Sequence, residues 1–306
     1  LDTGPALAAR GIEPVGTVVA VHGNPTWSYL WRALVTQSLA RAEAGDAWRV
    51  VAVDQLEMGF SERTDRRRTL PQRIADLNAL VDAAGIQGPV VTIGHDWGGP
   101  VSLGWAVENT DRLAAVIALN TAVHHPEGSP LPFALRVATA RGMLAAGTTT
   151  TTAFLDTTLA LADLAPEVRS AFRAPYATVD RRRGIGAFVA DIPATADDES
   201  TPTLRRMSAG LRGLDVPALL LRGPKDPVFG EGHLDDLTER LPHADVHRFE
   251  GAGHLVAEER PYAEAVLDWL AEKACELGVA RLVPVVTRRT VVDKPNAERL
   301  RAHMIE

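Results

Sequence analysis

An aspartate stands at the centre of Gly94-His95-Asp96-Trp97-Gly98-Gly99, directly after the apolar run Val90-Val91-Thr92-Ile93. A strand that breaks into a turn between small residues lets the backbone close tightly and leaves the central side chain accessible at the top of a sheet. A carboxylate is already anionic at neutral pH, so Asp96 could attack carbon without a base and form a covalent ester. An acidic N-cap would account for Asp96 alone, but not for the glycines on both sides. Two further positions follow in chain order. Asp226 lies in the loop after Leu219-Leu220-Leu221-Arg222, and His254 ends Phe249-Glu250-Gly251-Ala252-Gly253-His254. A histidine so placed can hold a water as general base, while a carboxylate orients its imidazole and stabilises the imidazolium. The last feature is His22-Gly23-Asn24-Pro25-Thr26-Trp27, after the first apolar strand. A backbone N–H there, with that of Trp97, can form an oxyanion hole. The side chains of Asn24 and Trp97 also donate hydrogen bonds, so they can hold a leaving anion.

These residues need elements to position them. β-branched apolar runs predict strands at 17–22, 49–54, 89–95, 114–120, 216–222 and 245–250. Amphipathic spacing predicts helices near 28–42, 71–84, 98–109, 231–241 and 260–277. Continuous apolar strands separated by helices indicate a parallel sheet covered on both faces, an α/β architecture. The rhythm stops between about 122 and 214, where the pattern is helical. We read this stretch as a helical cap over the carboxyl ends of the strands, where open α/β sheets hold their ligands. The expected division is a core of 1–121 and 215–277, a cap of 122–214, and an extension or linker at 278–306. The arginine runs Arg66 to Arg68 and Arg181 to Arg183 read as solvated faces, and Thr148 to Thr152 as a poorly packed helix start. Leu1 to Pro5 read as the end of a strand and its turn, as if an edge of the sheet preceded them.

Composition narrows the function. The 306 residues are 46% hydrophobic and 23% charged, enough to bury a substantial core. A net charge of −7 gives no electrostatic footprint for nucleic acid. The single cysteine, Cys275, cannot form an internal disulfide and reads as a packing residue, which is compatible with a cytoplasmic setting. No apolar run reaches the ~18 residues of a membrane span, since Arg136, Arg141, Asp156 and Asp163 interrupt the best candidate.

His-Gly-Asn-Pro-Thr from His22, Tyr29-Leu30-Trp31-Arg32, the Asp96 motif, and the Asp226 and His254 loops together resemble the haloalkane dehalogenase-like branch of the α/β-hydrolases, over 17 to about 272. Nucleophile, acid, histidine is the order of that fold. Trp27, Val53-Asp54-Gln55-Leu56-Glu57-Met58-Gly59-Phe60-Ser61 and Asn120-Thr121-Ala122-Val123-His124-His125-Pro126 resemble most closely the olefin-forming β-lactone decarboxylases, in the form fused to an acyl-adenylating ligase-like domain. Glu57 departs from the glycine that most dehalogenases carry there, and Asn120 lies where one dehalogenase subgroup carries its acid. The resemblance implies an α/β-hydrolase fold, a mostly parallel sheet with an inserted helical cap. It also implies a small apolar substrate, no metal, no cofactor, and a pocket including Trp27, Asn120, Phe229 and Leu255. The implied activity is conversion of a dialkyl β-lactone to an alkene and carbon dioxide through Asp96. A haloalkane dehalogenase comes second. An epoxide hydrolase is third, because that chemistry uses two cap tyrosines and this cap contains only Tyr176. A catalytically idle docking module would not be expected to keep the whole constellation.

Overall fold

Six strands form one parallel sheet: β1 (Gly16–Val21), β2 (Trp48–Val53), β3 (Val90–His95), β4 (Leu113–Leu119), β5 (Ala218–Arg222) and β6 (Asp245–Arg248), in the order β2-β1-β3-β4-β5-β6. The computed structural model describes residues 1–44, 47–64, 66–123, 135–136, 139–140, 142–193 and 197–276. The chain steps from β1 outward to β2 and then back to β3, which pairs with β1 on its other side. That reversal opens a crevice at the carboxyl ends of β1 and β3, the place where such sheets bind ligands. The Asn24 and Asp96 loops leave the sheet there.

The strands read as continuous apolar runs because both faces are covered. Val18 and Ala20 join one core layer with Trp31, Leu34, Trp48 and Tyr262, while Val19 and Val21 join the other with Ile74, Leu77, Trp105 and Leu211. Period-two alternation therefore feeds two cores, each buried aliphatic chain contributing about 1.5–3 kcal/mol. Helix α2 (Arg32–Arg41) and the helix Tyr262–Glu276 cover one face. Helices α3 (Leu70–Ala83), α4 (Gly98–Glu108) and Thr201–Leu211 cover the other. A capping box of Thr69 and Gln72 starts α3. Only β6 is exposed along its length, as befits an edge strand.

Several local expectations need correction. The predicted helix at 28–42 is a 3₁₀ turn, Ser28–Trp31, running into α2, because the Ser28 N–H is drawn to the Asp54 carboxylate at 2.8 Å. Asp2 does bridge Val51, antiparallel, but Gly4–Ala9 then forms helix α1 (Gly4–Ala9), which Pro5 at its first turn permits. The arginine runs are not simply solvated. Arg182 is buried and donates to the carbonyls of Thr149, Thr150, Tyr176 and Ala177, while Arg68 pairs with Glu57 and Asp76. Within the threonine run, Ala146–Thr150 is a π-helical turn in which buried Thr148 donates to the Leu144 carbonyl.

Between β4 and β5 the described residues form helices, among them Ala153–Leu159, Pro166–Arg173, Arg183–Ala190 and Thr201–Leu211. This cap segment lies against the loops after β1 and β2. Trp27 Nε1 donates to the Ala171 carbonyl (3.2 Å), Tyr176 Oη to the Thr26 carbonyl (3.0 Å), and Arg181 Nη2 to the Gly59 carbonyl (2.6 Å). Gly184 packs so closely on the Glu57 carbonyl that a Cβ there would collide with it. Glu57 itself has φ 72°, a left-handed backbone that favours glycine and is strained for a longer residue. Its carboxylate accepts from Thr64 N–H (2.7 Å) and lies 3.3 Å from Arg68. Residues 124–134 and 277–306 lie outside the described part, so His124, His125 and the expected extension do too.

Candidate active site

The turn after β3 is closed by contacts that only small residues allow. Asp96 has φ 51°, in the left-handed region, and a Cβ on Gly94, Gly98 or Gly99 would strike Gly98 and Ser102, Val21, or Thr121 respectively. Such a conformation costs about 1–3 kcal/mol and persists only when its surroundings fix it. Here Asp96 N–H donates to the Asn120 carbonyl (3.1 Å), and its own carbonyl accepts from Gly99 N–H (2.9 Å) and Thr121 Oγ1 (2.6 Å).

The two carboxylate oxygens of Asp96 have different surroundings. Oδ1 accepts the Asn24 backbone N–H at 2.8 Å, and the Trp97 N–H also donates to the carboxylate. Oδ2 lies 3.9 Å from Nε2 of His254. Oδ1 is thus pinned at the start of α4 by the Asn24 N–H, while Oδ2 faces the histidine across a gap too long for a hydrogen bond. Burial pushes the Asp96 carboxyl above its ordinary range, opposed by the charge of His254 and the two N–H donors. That leaves a poorly solvated, more basic carboxylate.

His254 Nδ1 meets Asp226 Oδ2 at 3.1 Å. Asp226 Oδ1 accepts the N–H groups of Val228 (2.7 Å) and Phe229 (3.2 Å). Burial opposes ionisation of Asp226, but the charge of His254 and these bonds outweigh it and hold the carboxyl below its usual range. Burial likewise disfavours the imidazolium of His254, yet the Asp226 charge and hydrogen bond prevail and raise its pKa. Asp226, His254 and Asp96 therefore form a buried array with the imidazole between two carboxylates.

Asn24 and Trp97, expected as anion donors, contribute backbone N–H groups to Asp96. The Asn24 side chain takes another course: Nδ2 donates to the Ile185 carbonyl of the cap at 3.2 Å, and Oδ1 is buried with no partner among the described residues. One hydrogen of its amide nitrogen remains for an anion. The Trp97 ring tilts against Phe188 of the cap, centroids 5.6 Å apart.

The four expected pocket residues are placed differently from one another. Phe229 lies beside the base, its ring 5.9 Å from that of His254. Leu255 is fully buried in the core layer shared with Leu155, Leu159 and Phe172 of the cap. Trp27 stacks on Tyr29 (5.3 Å), meets Phe60 edge-on (5.1 Å), and ties down the helix Pro166–Arg173. Asn120 spends its whole side chain on backbone: Nδ2 donates to the carbonyls of Gly253 (2.7 Å) and His254 (3.2 Å), and Oδ1 accepts Gly223 N–H (2.8 Å). It staples the Gly223 and His254 loops together rather than offering a free amide to substrate, and the carboxylate hydrogen-bonded to the His254 ring is that of Asp226.

His95 sits beside Asp96 in the sequence motif, yet nothing in the sequence assigns it a role. It is buried, its Nε2 donates to the His254 carbonyl (2.9 Å), and its ring lies 4.9 Å from that of His254. Burial holds its pKa down to about 3, so it stays neutral and acts as a strut. Among the described residues no cluster of histidine, cysteine or acidic side chains could hold a metal ion, and no helix is long and apolar enough to cross a membrane.

Known proteins resemble this chain in sequence and fold. Residues 16–261 match the family model of the alpha/beta hydrolase fold. A cis-3-alkyl-4-alkyloxetan-2-one decarboxylase of Shewanella oneidensis is 32% identical, covering 79% of this chain and 77% of its own. A protein of the same name from Xanthomonas campestris is 31% identical, covering 85% and 90%. Among solved structures, the haloalkane dehalogenase DatA from Agrobacterium tumefaciens superposes with a TM-score of 0.76 at 25% identity, covering 85% of this chain and 91% of that one. With six parallel strands, an elbow after β3 and a family match over most of its length, the chain belongs to the α/β-hydrolase fold family and is an enzyme.

Proposed function

We propose that this enzyme converts dialkyl β-lactones to alkenes and carbon dioxide, with Asp96 as nucleophile. The observation that carries the reading is the unequal pair of oxygens on Asp96, one pinned by the Asn24 N–H and the other open toward His254. Two relatives above 30% identity named as oxetanone decarboxylases supply the substrate class. In the proposed reaction Oδ2 attacks the ring carbon that bears the lactone oxygen. A carbon–oxygen bond forms to Asp96, the ring carbon–oxygen bond breaks, and the released carboxylate is stabilised by the remaining hydrogen of Asn24 Nδ2 and by Trp97 Nε1. Loss of carbon dioxide then sends its bonding pair into the new carbon–carbon double bond and returns the ester pair to Asp96. No water is consumed. The imidazolium of His254, favoured by Asp226, offsets negative charge as the intermediate collapses.

The same residues would serve a haloalkane dehalogenase, the second reading, supported by the likeness to DatA. There Asp96 displaces halide, neutral His254 activates a water that attacks the ester carbon, and the pinned Oδ1 becomes the oxyanion between the Asn24 and Trp97 N–H groups. A dialkyl β-lactone and a bromoalkane assayed side by side separate the two. Alkene in the gas chromatograph with slow or absent bromide release is expected; rapid bromide release and no alkene from any lactone would replace the first reading with the second. A cytoplasmic setting and a fused or associated acyl-adenylating ligase-like partner complete the proposal on the sequence resemblance, and co-purification of ligase activity from native cells tests the latter.

A further inference from the structure

On the far side of β1 from the buried array, a cavity of about 290 Å³ opens between α3, α4 and the ends of β1 and β2. Its apolar wall is made by Val21, Val53, Leu77, Leu80 and Val101, and Arg73 lines it as well. Arg73 is 2% exposed, and none of its three guanidinium nitrogens has a hydrogen-bond partner among the described residues. Its guanidinium lies over the face of Phe188, 3.4 Å from the ring centroid.

The neighbouring carboxylates are spent elsewhere. Asp54 accepts Ser28 and Phe60 N–H, Asp76 pairs with Arg68, Asp191 accepts Leu70 N–H and Ser200 Oγ, and Glu57 accepts Thr64 N–H. Burial lowers the pKa of Arg73 to about 10 against the opposing charges of Asp191, Asp76 and Glu57, which are near without hydrogen-bonding it, and the group remains a cation at neutral pH. A desolvated, unsatisfied guanidinium is costly to fold around, and its planar fork matches a carboxylate. The wall also carries Asp54 and Asp76, each already engaged by the donors named above, and the aliphatic surface favours a hydrocarbon tail.

We propose that this cavity binds a short-chain monocarboxylate, its carboxylate paired with Arg73 and its chain against Leu77, Leu80 and Val101. The cavity is large enough for a small aliphatic guest, so hexanoate and octanoate are the natural probes. The site contains none of Asp96, Asp226, His254, Asn24 or Trp97, and it stands apart from the proposed reaction.

Calorimetric titration with hexanoate tests it, using the wild type, Arg73→Met, Leu77→Trp, which fills the cavity but keeps the cation, and Asp96→Asn. Saturable binding to the wild type and to Asp96→Asn is expected, weakened roughly tenfold or more in both cavity variants, with hexanol and sulfate binding far more weakly. Should Arg73→Met fail to fold, Leu77→Trp answers the same question. No binding up to about 10 mM, equal binding of hexanol, or affinity unchanged in Leu77→Trp would overturn the proposal. So would affinity that rises in Asp96→Asn and ignores Leu77→Trp, which would place the acid at the catalytic carboxylate instead. Because Asp96→Asn is expected to bind hexanoate without turnover, failure here and failure of the decarboxylase reading are separate outcomes.

Discussion

Around the loops that carry Asp96, Asp226 and His254, buried side chains tie one stretch of backbone to another, whereas the seam between the cap segment and the loops after β1 and β2 relies mostly on long or aromatic side chains that reach across it. Asn120 joins the turns at Gly223 and His254, His95 supports the His254 carbonyl, and Thr121 closes the elbow on Asp96. Across that seam Trp27, Tyr176 and Arg181 each reach one carbonyl, Tyr176 also accepting the Gly59 N–H, and the shorter Asn24 reaches the Ile185 carbonyl. Short staples leave few rotamers and fix atoms closely; long tethers tolerate displacement. The difference teaches that the two regions govern different quantities. On the proposed function, the core is expected to set whether a bond is made, and the cap what is admitted.

The largest expected effect comes from the core. Asp96→Asn keeps the shape of the elbow and removes the charge, so turnover should fall by at least about 10⁴-fold with circular dichroism unchanged. Full activity in a variant whose mass excludes reversion to aspartate would remove the nucleophile assignment. Acid should also loosen the core. His95 is neutral in the fold down to about pH 3, while the unfolded chain takes up a proton near 6.5. The stability it contributes is present above pH 6.5 and is lost as pH falls toward 3, to a total of about 5 kcal/mol. His22, whose pKa burial also lowers, acts in the same sense. His254 acts in the opposite sense, because its raised pKa gives stability below its unfolded value that fades as pH rises through the folded one. Urea titrations from pH 7.5 to 4 should show stability falling toward acid, with a shallower slope in His95→Gln; an unchanged slope would deny His95 its role.

A smaller effect is expected where one staple is cut. Asn120→Ala leaves the Gly253 carbonyl and the Gly223 N–H unsatisfied, while His95 still serves the His254 carbonyl, and should cost about 3 kcal/mol by denaturant melt, with kcat reduced and KM little changed. A purely KM effect would mean that Asn120 faces substrate after all. The smallest belongs to the cap. Arg181→Met removes one tether to Gly59 and should cost about 1 kcal/mol or less, altering the dependence of KM on alkyl length while kcat for short lactones stays within about threefold. If kcat collapses in Arg181→Met, the division between core and cap is wrong.

The sheet was legible because its signal is local: a parallel strand buried on both faces must be apolar throughout, and Val18 to Val21 or Val90 to Ile93 can satisfy little else. The elbow and the two loops were legible for a related reason, since glycines and a fixed chain order mark them. What escaped was long-range. Nothing near Arg182 in sequence says that four carbonyls converge on it, because two belong to residues more than thirty positions earlier. Asn120 looks like pocket lining at the end of β4, and only the folded loops at Gly223 and Gly253 turn it inward. Glu57 departs from an expected glycine, and its left-handed backbone explains why glycine is the easier choice there.

The contact between Gly184 and the Glu57 carbonyl bears on how such enzymes could exchange parts. A cap transplanted from a relative would arrive with its own residue at position 184, and anything larger than hydrogen would prop the lid off the loop after β2. Chimaeras should therefore succeed or fail on this pair more than on overall identity, so a donor lacking glycine there needs that one change before its selectivity can be inherited.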